Sequence, residues 1–268
     1  MNRLRYLPFL ICMLVRLHAA ELKPETVTAF DRYVKLTEEG FAKNQGFENF
    51  LWLDHHPTEK TMVWLQQSVV APMRTLDHGT EIEVPGGVIQ HWMGAAYLEN
   101  ATLEKVRDIV LNYNDYKTFF KNEVMDSKQI KRDGEQFDAF VRFYKKQVSA
   151  VVLNVNLSAR YTLIDPTRLY IASHSTHIGE VEHPKNKKKL DQERDLEDAA
   201  GYLWRLNMYW RIFQADNGAY VELEVLSLAR EEGGRINPSR FLTGFQSFPH
   251  DLTQDMIDSL QQLFPHHR

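Results

Sequence analysis

The order of its secondary-structure elements constrains the fold of this chain more than any single motif does. β-Branched and aromatic residues concentrate in successive runs of the second half, and turn pairs such as Asp133-Gly134 and Asp165-Pro166 separate them. These runs predict six strands, at about 124–131, 136–146, 148–163, 168–182, 202–215 and 219–230. Strands that follow one another through short turns form an antiparallel sheet.

Further elements are predicted on either side of the six strands. Residues 88–97 read as a strand, Asn100 is expected to cap a helix whose apolar stripe begins at Leu103, and a second short helix is expected over 112–120. Residues 21–45 and a segment after Thr58 are helical in pattern. We treat residues 21–85 as an N-terminal extension of the sheet-forming region.

The C-terminal segment predicts one amphipathic helix. Asp251 and Gln254 resemble a capping box, and the apolar residues that follow, such as Met256 and Leu260, recur at helical spacing until Pro265. The apolar stripe of this helix must be buried against another element, and the apolar face of the sheet is the natural partner. The expected fold is therefore α+β: a curved antiparallel sheet, in the order β-α-α-β6-α, wrapped around a long C-terminal helix.

Asn217-Gly218 is the strongest local signal in the chain. It lies between two alternating runs and predicts a two-residue type I′ hairpin, which places Trp210 opposite Val225 and Arg211 opposite Glu224. One face of this hairpin is apolar and is expected to meet the C-terminal helix. The other is polar and is expected to lie outside, solvated or covered by residues 21–85. If the register inverts, these polar residues line the pocket instead, where an arginine would clamp a carboxylate. The polar set is Arg142, Arg205, Asn207, Tyr209, Arg211, Glu222 and Glu224.

Several segments resemble the START-like helix-grip superfamily, which includes lipid-transfer START domains and polyketide cyclases. Residues 87–102 (GVIQHWMGAAYLENAT), 103–116 (LEKVRDIVLNYNDY) and 120–128 (FKNEVMDSK) resemble its first strand, helix pair and second strand. Residues 201–211 (GYLWRLNMYWR) and 218–228 (GAYVELEVLSL) resemble the last hairpin of an exported bacterial branch of that superfamily. The resemblance covers residues 86–265 and implies the fold and a habit of binding apolar molecules, but no particular ligand.

The first 20 residues read as a secretory signal peptide. Arg3 and Arg5 precede a ten-residue apolar run, Tyr6–Val15, which is too short to span a bilayer, and Ala19 is a small residue at a plausible cleavage point. We therefore expect an exported, periplasmic or secreted, protein with no stable membrane insertion after cleavage. Its one cysteine, Cys12, would be removed, which excludes disulfides and thiol chemistry.

Charge and motifs exclude other classes of function. The net charge is -4, and the three arginines of the leader leave -4 - 3 = -7 on the remainder, which disfavours nucleic-acid binding. There is no P-loop, G-x-G-x-x-G, G-x-S-x-G or H-E-x-x-H motif. His174 and His177, three apart in one strand, are expected on opposite faces, so we predict no metal site and no cofactor.

A ligand site is expected between the sheet and the C-terminal helix. The leading hypothesis is an exported binding or carrier protein for a lipid or another apolar small molecule. One alternative is a cyclase- or dehydratase-like enzyme, which would bring His91 together with an acid or an arginine inside the cavity. A third is a partner-binding module of the cell envelope. The residues expected to line the cavity are Trp92, Phe137, Val141, Phe143, Trp204, Met208, Trp210, Ile212, Leu223, Val225, Met256 and Leu260.

Overall fold

The computed structural model describes residues 22–145, 150–195, 198–231 and 247–265, so the expected leader lies outside the described residues. The helices are α1 (Pro24–Lys43), α2 (Pro57–Trp64), α3 (Leu103–Val110), α4 (Tyr116–Phe119) and α5 (Phe248–Leu263), with short 3-10 turns at Phe47–Asn49 and Trp52–His55. The strands are β1 (Val69–Pro72), β2 (Leu76–Asp77), β3 (Thr80–Glu81), β4 (Gly87–Glu99), β5 (Val124–Asp133), β6 (Gln136–Lys145), β7 (Val151–Asp165), β8 (Arg168–Glu180), β9 (Arg205–Ala215) and β10 (Gly218–Arg230).

Eight of the strands form one antiparallel sheet in the order β1-β4-β10-β9-β8-β7-β6-β5. β4 pairs with the last hairpin, and the remaining strands follow as consecutive hairpins. The predicted α+β fold class and the helix-grip order are confirmed. β1 comes from the predicted N-terminal extension, so that extension also contributes an edge strand to the main sheet.

The inner face of the sheet packs on α5 and encloses the main apolar core. Leu252, Met256 and Ile257 of α5 are completely buried, and the helix packs chiefly on β4 and β10. The helix lies directly on β4 at Gly94, where a Cβ atom would stand 2.7 Å from Cγ2 of Thr253 and 2.8 Å from Cγ1 of Ile257. Glycine at this position therefore sets how closely the helix approaches the sheet.

The outer face of the sheet is covered by the N-terminal extension. Phe30 and Tyr33 of α1 pack on Leu226 and Leu228 of β10. The 3-10 turns and α2 form a second cluster, in which Leu53 and other apolar side chains pack on β4. This layer shields the outer face of the sheet from solvent, so the face is not the solvated polar surface that an uncovered sheet would present.

The turn of the last hairpin differs from the prediction. Ala215 pairs with Gly218, so Asp216 and Asn217 form the turn, and the register is shifted by two residues. Neither Asn217 nor Gly218 has the positive φ that a type I′ turn requires. Gly218 is needed for another reason: a Cβ atom there would lie 2.3 Å from the Leu98 carbonyl oxygen of β4.

Two predicted helix starts are also wrong. Thr102 caps α3 by accepting a hydrogen bond from the Lys105 amide, whereas Asn100 adopts a left-handed conformation with φ of 57°. α5 begins at Phe248 after Ser247, so Asp251 lies in its first turn instead of at its cap. The observed caps lie two and four residues from the predicted ones, within the range over which sequence patterns resolve helix boundaries poorly.

The two histidines of β8 share the outer face, so their predicted separation is wrong. His174 pairs with Ser158, and His177 pairs with Asn156, two residues apart on β7, because a bulge adds one residue to β8 between them. An extra residue shifts the alternation by one and returns His177 to the face of His174. Each binds its own glutamate: His174 binds Glu38 (Nε2–Oε1 2.7 Å) and His177 binds Glu193 (Nε2–Oε2 2.7 Å).

Candidate functional site

Ten of the twelve residues predicted to line a cavity lie together in the core between the sheet and α5. None of them exposes more than 2% of its surface, so in this structure they pack against one another. They are Phe137, Val141, Phe143, Met208, Trp210, Ile212, Leu223, Val225, Met256 and Leu260.

The two remaining tryptophans lie elsewhere. Trp92 is half-buried on the inner face, where its ring meets His250 of α5 edge-on at a centroid distance of 4.7 Å. Trp204 precedes β9 and packs against the outer-face cluster that contains Tyr209 and Leu226, so it does not face α5. β9 begins at Arg205, so the alternation of faces along that strand does not extend to Trp204. Counting alternate residues back from Trp210 therefore assigns Trp204 to the wrong face.

A pocket of about 440 Å³, here called the α3 pocket, opens beside this core. Two of its walls, Leu111 and Phe137, are members of the inner core, and Tyr161 packs against that core. Its rim is polar: the guanidinium of Arg132 lies 4.8 Å from the centre of the Phe137 ring, and Arg107, bonded to Asp108, also lines the pocket. Of the lining residues only Phe137 was predicted, because the others come from three separate elements.

A chain of buried polar groups crosses the outer face beneath the extension. The carboxylate of Glu222, completely buried, accepts hydrogen bonds from the Trp52 and Leu53 amides, both at 2.9 Å. Arg211 joins it to the second buried carboxylate, with Nε 3.0 Å from Glu222 and Nη2 3.1 Å from Glu224. The expected Arg211–Glu224 ion pair is present on the outer face, although Glu222 is the residue directly opposite Arg211.

His91 extends this network toward α1. Its Nε2 contacts Glu224, and its Nδ1 lies 3.0 Å from the hydroxyl of Tyr33, which also accepts a hydrogen bond from the Thr75 amide. The Tyr33 hydroxyl and the Glu224 carboxylate therefore contact the two ring nitrogens of His91, one on each side of the ring. His91 thus meets an acid, as the enzyme hypothesis requires, but it does so on the outer face and with a side chain that is only 3% exposed.

Burial and hydrogen bonding fix the ionisation of the groups around this network. Burial raises the pKa of Glu222, while Arg211 and the two backbone amides favour its ionised form. Burial likewise raises the pKa values of Tyr170 and Tyr209, which stay neutral. The hydrogen bond from His174 lowers the pKa of Glu38, and a second one comes from Tyr209.

The remaining polar residues of the predicted outer set are consistent with that face. Arg142 is buried and donates from Nε to Asn154 at 2.8 Å, while Nη2 reaches Asp191 of the charged loop. Glu193 of the same loop bonds Asn154 at 3.0 Å, so this part of the 184–200 segment packs on the sheet. Arg205 bonds the carbonyl of its neighbour Trp204.

A buried carboxyl group near the start of α5 gives a pH-dependent prediction. Burial, with Asp255 next to it, raises the pKa of Glu123 to about 8, although Lys145 lies 3.5 Å away. The folded state therefore holds a proton on Glu123 that the unfolded state loses above about pH 4.5, so this group makes stability fall between about pH 4.5 and 8.

We expect Glu123→Gln to remove this part of the pH dependence. The variant should match the wild type near pH 4.5 and exceed its stability at pH 9 by on the order of 1–2 kcal/mol. Urea unfolding at both pH values measures the difference, and the exposed Glu135→Gln is the control. A wild-type advantage at pH 9 would show that the ion pair with Lys145 outweighs burial.

The described residues contain neither a candidate metal cluster nor a membrane-spanning helix. In the described part of the chain, no three histidine, cysteine, aspartate or glutamate side chains come together as a potential metal site. Within the same residues, no helix is long and apolar enough to cross a membrane.

The element order, and the C-terminal helix packed on the curved sheet, give the chain a START-like helix-grip fold. No protein-family model matches the sequence, and no curated protein does so either. Similar solved structures include a STAR-related lipid transfer protein of Xanthomonas axonopodis (TM-score 0.47, 11% identity, 73% of this chain and 98% of that one). An aromatase/cyclase of a Streptomyces species is also similar, with a TM-score of 0.45 and 11% identity over 66% of this chain and 93% of that one. A human lipid transfer and protein localization domain has a TM-score of 0.43 and 8% identity, over 81% of this chain and 98% of that one.

Proposed function

We propose that this chain is an exported binding protein that carries a lipid or another amphipathic small molecule, with the α3 pocket as its entrance. The observation that carries the proposal is the pocket's composition, an apolar floor continuous with the inner core beneath a rim with two arginines. Its volume of about 440 Å³ falls within the roughly 300–1,000 Å³ typical of small-molecule sites.

The charges of the rim suggest what the head of the ligand carries. Arg107 and Arg132 face the pocket with one acid, Asp108, so the rim has a net positive charge. An anionic head, such as a carboxylate, would bind there, while the apolar body would lie along Leu111, Phe137 and Tyr161. Deeper entry would require the packed inner core to open.

Native mass spectrometry of the protein purified from its own source is the direct test. We expect a reproducible additional mass that disappears on denaturation, and its value identifies the ligand class. Absence of any adduct, together with no binding of a fluorescent fatty acid, would contradict the carrier proposal. Export is tested separately by cell fractionation and by determining the N-terminus, which we expect near residue 21.

The role of the pocket is tested with two matched substitutions in β6. Phe137→Leu should weaken binding of a fluorescent fatty acid by roughly threefold to tenfold, because an aromatic wall of the pocket is lost. Phe140→Leu changes the same residue type on the opposite face of that strand and should leave affinity unchanged. Equal effects of the two would place the ligand outside the α3 pocket.

A further inference from the structure

A second cavity lies on the other side of the sheet, between α1 and strands β7 to β9. It measures about 200 Å³, and we call it the α1 cavity. Its walls include the aromatic rings of Phe41, Phe50 and Tyr170, and its polar lining includes Glu38, His174 and Arg211. The volume is below the roughly 300 Å³ at which sites for drug-sized ligands begin, so its ligand must be smaller.

Phe41, Tyr170 and Tyr209 form a packed aromatic cluster, here called the cage, of which Phe41 and Tyr170 line the cavity. The Phe41 ring lies 5.7 Å from Tyr170 and 5.1 Å from Tyr209, measured between centroids, and the two tyrosine rings stack at 6.4 Å. Faces of aromatic rings attract cations. The cage already does so once, since the Arg211 guanidinium lies 5.0 Å from the centre of the Phe41 ring.

The charge around the cavity is negative. Glu38, Glu222 and Glu224 contribute three carboxylates, and Arg211 is the cation bound between the last two. Leaving aside the imidazoles of His91 and His174, which contact Glu224 and Glu38, these groups sum to -3 + 1 = -2. Arg168 is nearby but is paired with Asp165 at 2.6 Å, so this pair adds no net charge.

Glu38 is the carboxylate that a ligand can reach. Its Oε1 accepts hydrogen bonds from His174 and Tyr209, while its side chain stays 38% exposed at the edge of the cavity. Two bonds to one oxygen hold the carboxylate in place beside the cage. An ammonium group at this edge would gain a charge-assisted hydrogen bond and cation–π contacts together.

We propose that the α1 cavity binds a small aromatic amine, with its ring packed against Phe41 and Tyr170 where they line the cavity and its ammonium on Glu38. An anion of the same size is disfavoured, because the only guanidinium that lines the cavity among the described residues is already neutralised by Glu222 and Glu224. This site is independent of the α3 pocket, which lies on the other side of the sheet.

Calorimetric titration of the full chain with phenethylamine and with 3-phenylpropionate tests the charge preference. We expect the amine to bind at least about tenfold more tightly than the acid, and Glu38→Gln to weaken the amine roughly tenfold. The glutamine keeps an oxygen for His174 and Tyr209, so the fold should be preserved, which thermal unfolding verifies.

Two control variants complete the experiment. Glu39→Gln removes the same charge from the neighbouring, exposed position, and Phe137→Leu alters the α3 pocket; both should leave the affinity for the amine unchanged. Equal or tighter binding of the acid, no detectable binding of the amine, or an equal loss in Glu38→Gln and Glu39→Gln would overturn the proposal.

Discussion

Glu222→Ala should destabilise the protein by about 3–5 kcal/mol. The carboxylate is completely buried and compensates three donors at once: Nε of Arg211 and the amides of Trp52 and Leu53. Removing it leaves two backbone amides without their acceptor and Arg211 with one carboxylate instead of two. Breaking a buried ion pair on one side costs about this much, because the remaining groups cannot return to water.

The measurement combines global and local stability. Urea unfolding gives the total loss, with the exposed Glu135→Ala expected to stay within about 0.5 kcal/mol of the wild type. Hydrogen exchange of the Trp52 and Leu53 amides reports the local effect. We expect Glu222→Ala to accelerate the exchange of these two amides more than it accelerates the exchange of the α5 amides. A global loss below about 1 kcal/mol would mean that water or another donor set replaces the carboxylate.

Much of this fold could be predicted from local patterns. Alternation along β9 and β10 correctly divided Ile212 and Leu223 from Arg211 and Glu222, because the side-chain period of a strand is two. For the same reason a register error of two residues in that hairpin left the face assignments within β9 and β10 intact. A shift of one residue, such as the β8 bulge introduces, reverses the assignment of residues to the two faces. A bulge has no reliable signal in the local sequence.

The outer network could be predicted only in part. The sequence places Arg211 and Glu222 on one face, with coverage by residues 21–85 as one possibility. It does not show that Glu222 binds the amides of Trp52 and Leu53, since 170 and 169 residues separate these partners. The α3 pocket presents the same difficulty: its lining residues come from α3, β5, β6 and β7, which only the tertiary fold brings together.

Substitutions at Gly94 should show how closely α5 must approach the sheet. An added Cβ atom would stand 2.7 Å from Thr253 and 2.8 Å from Ile257, so the helix or its side chains must move. We expect Gly94→Ala to cost about 1–3 kcal/mol in urea unfolding and Gly94→Val to cost more. Gly40→Ala is the control, and it should stabilise the protein. Gly40 lies in the interior of α1, and no atom lies within 4 Å of its added Cβ. That variant should gain about 0.5–1 kcal/mol.

A second substitution separates close packing from an effect on the strand itself. The nearest atom to the added Cβ is Cγ2 of Thr253, so Thr253→Ser should recover part of the loss when combined with Gly94→Ala. If the two changes are simply additive, the cost arises in β4 and not at its contact with α5. Recovery would show that α5 is held at a distance set by this glycine, so that any ligand entering the inner core must either displace the helix or enter where it does not lie on the sheet, beside α3.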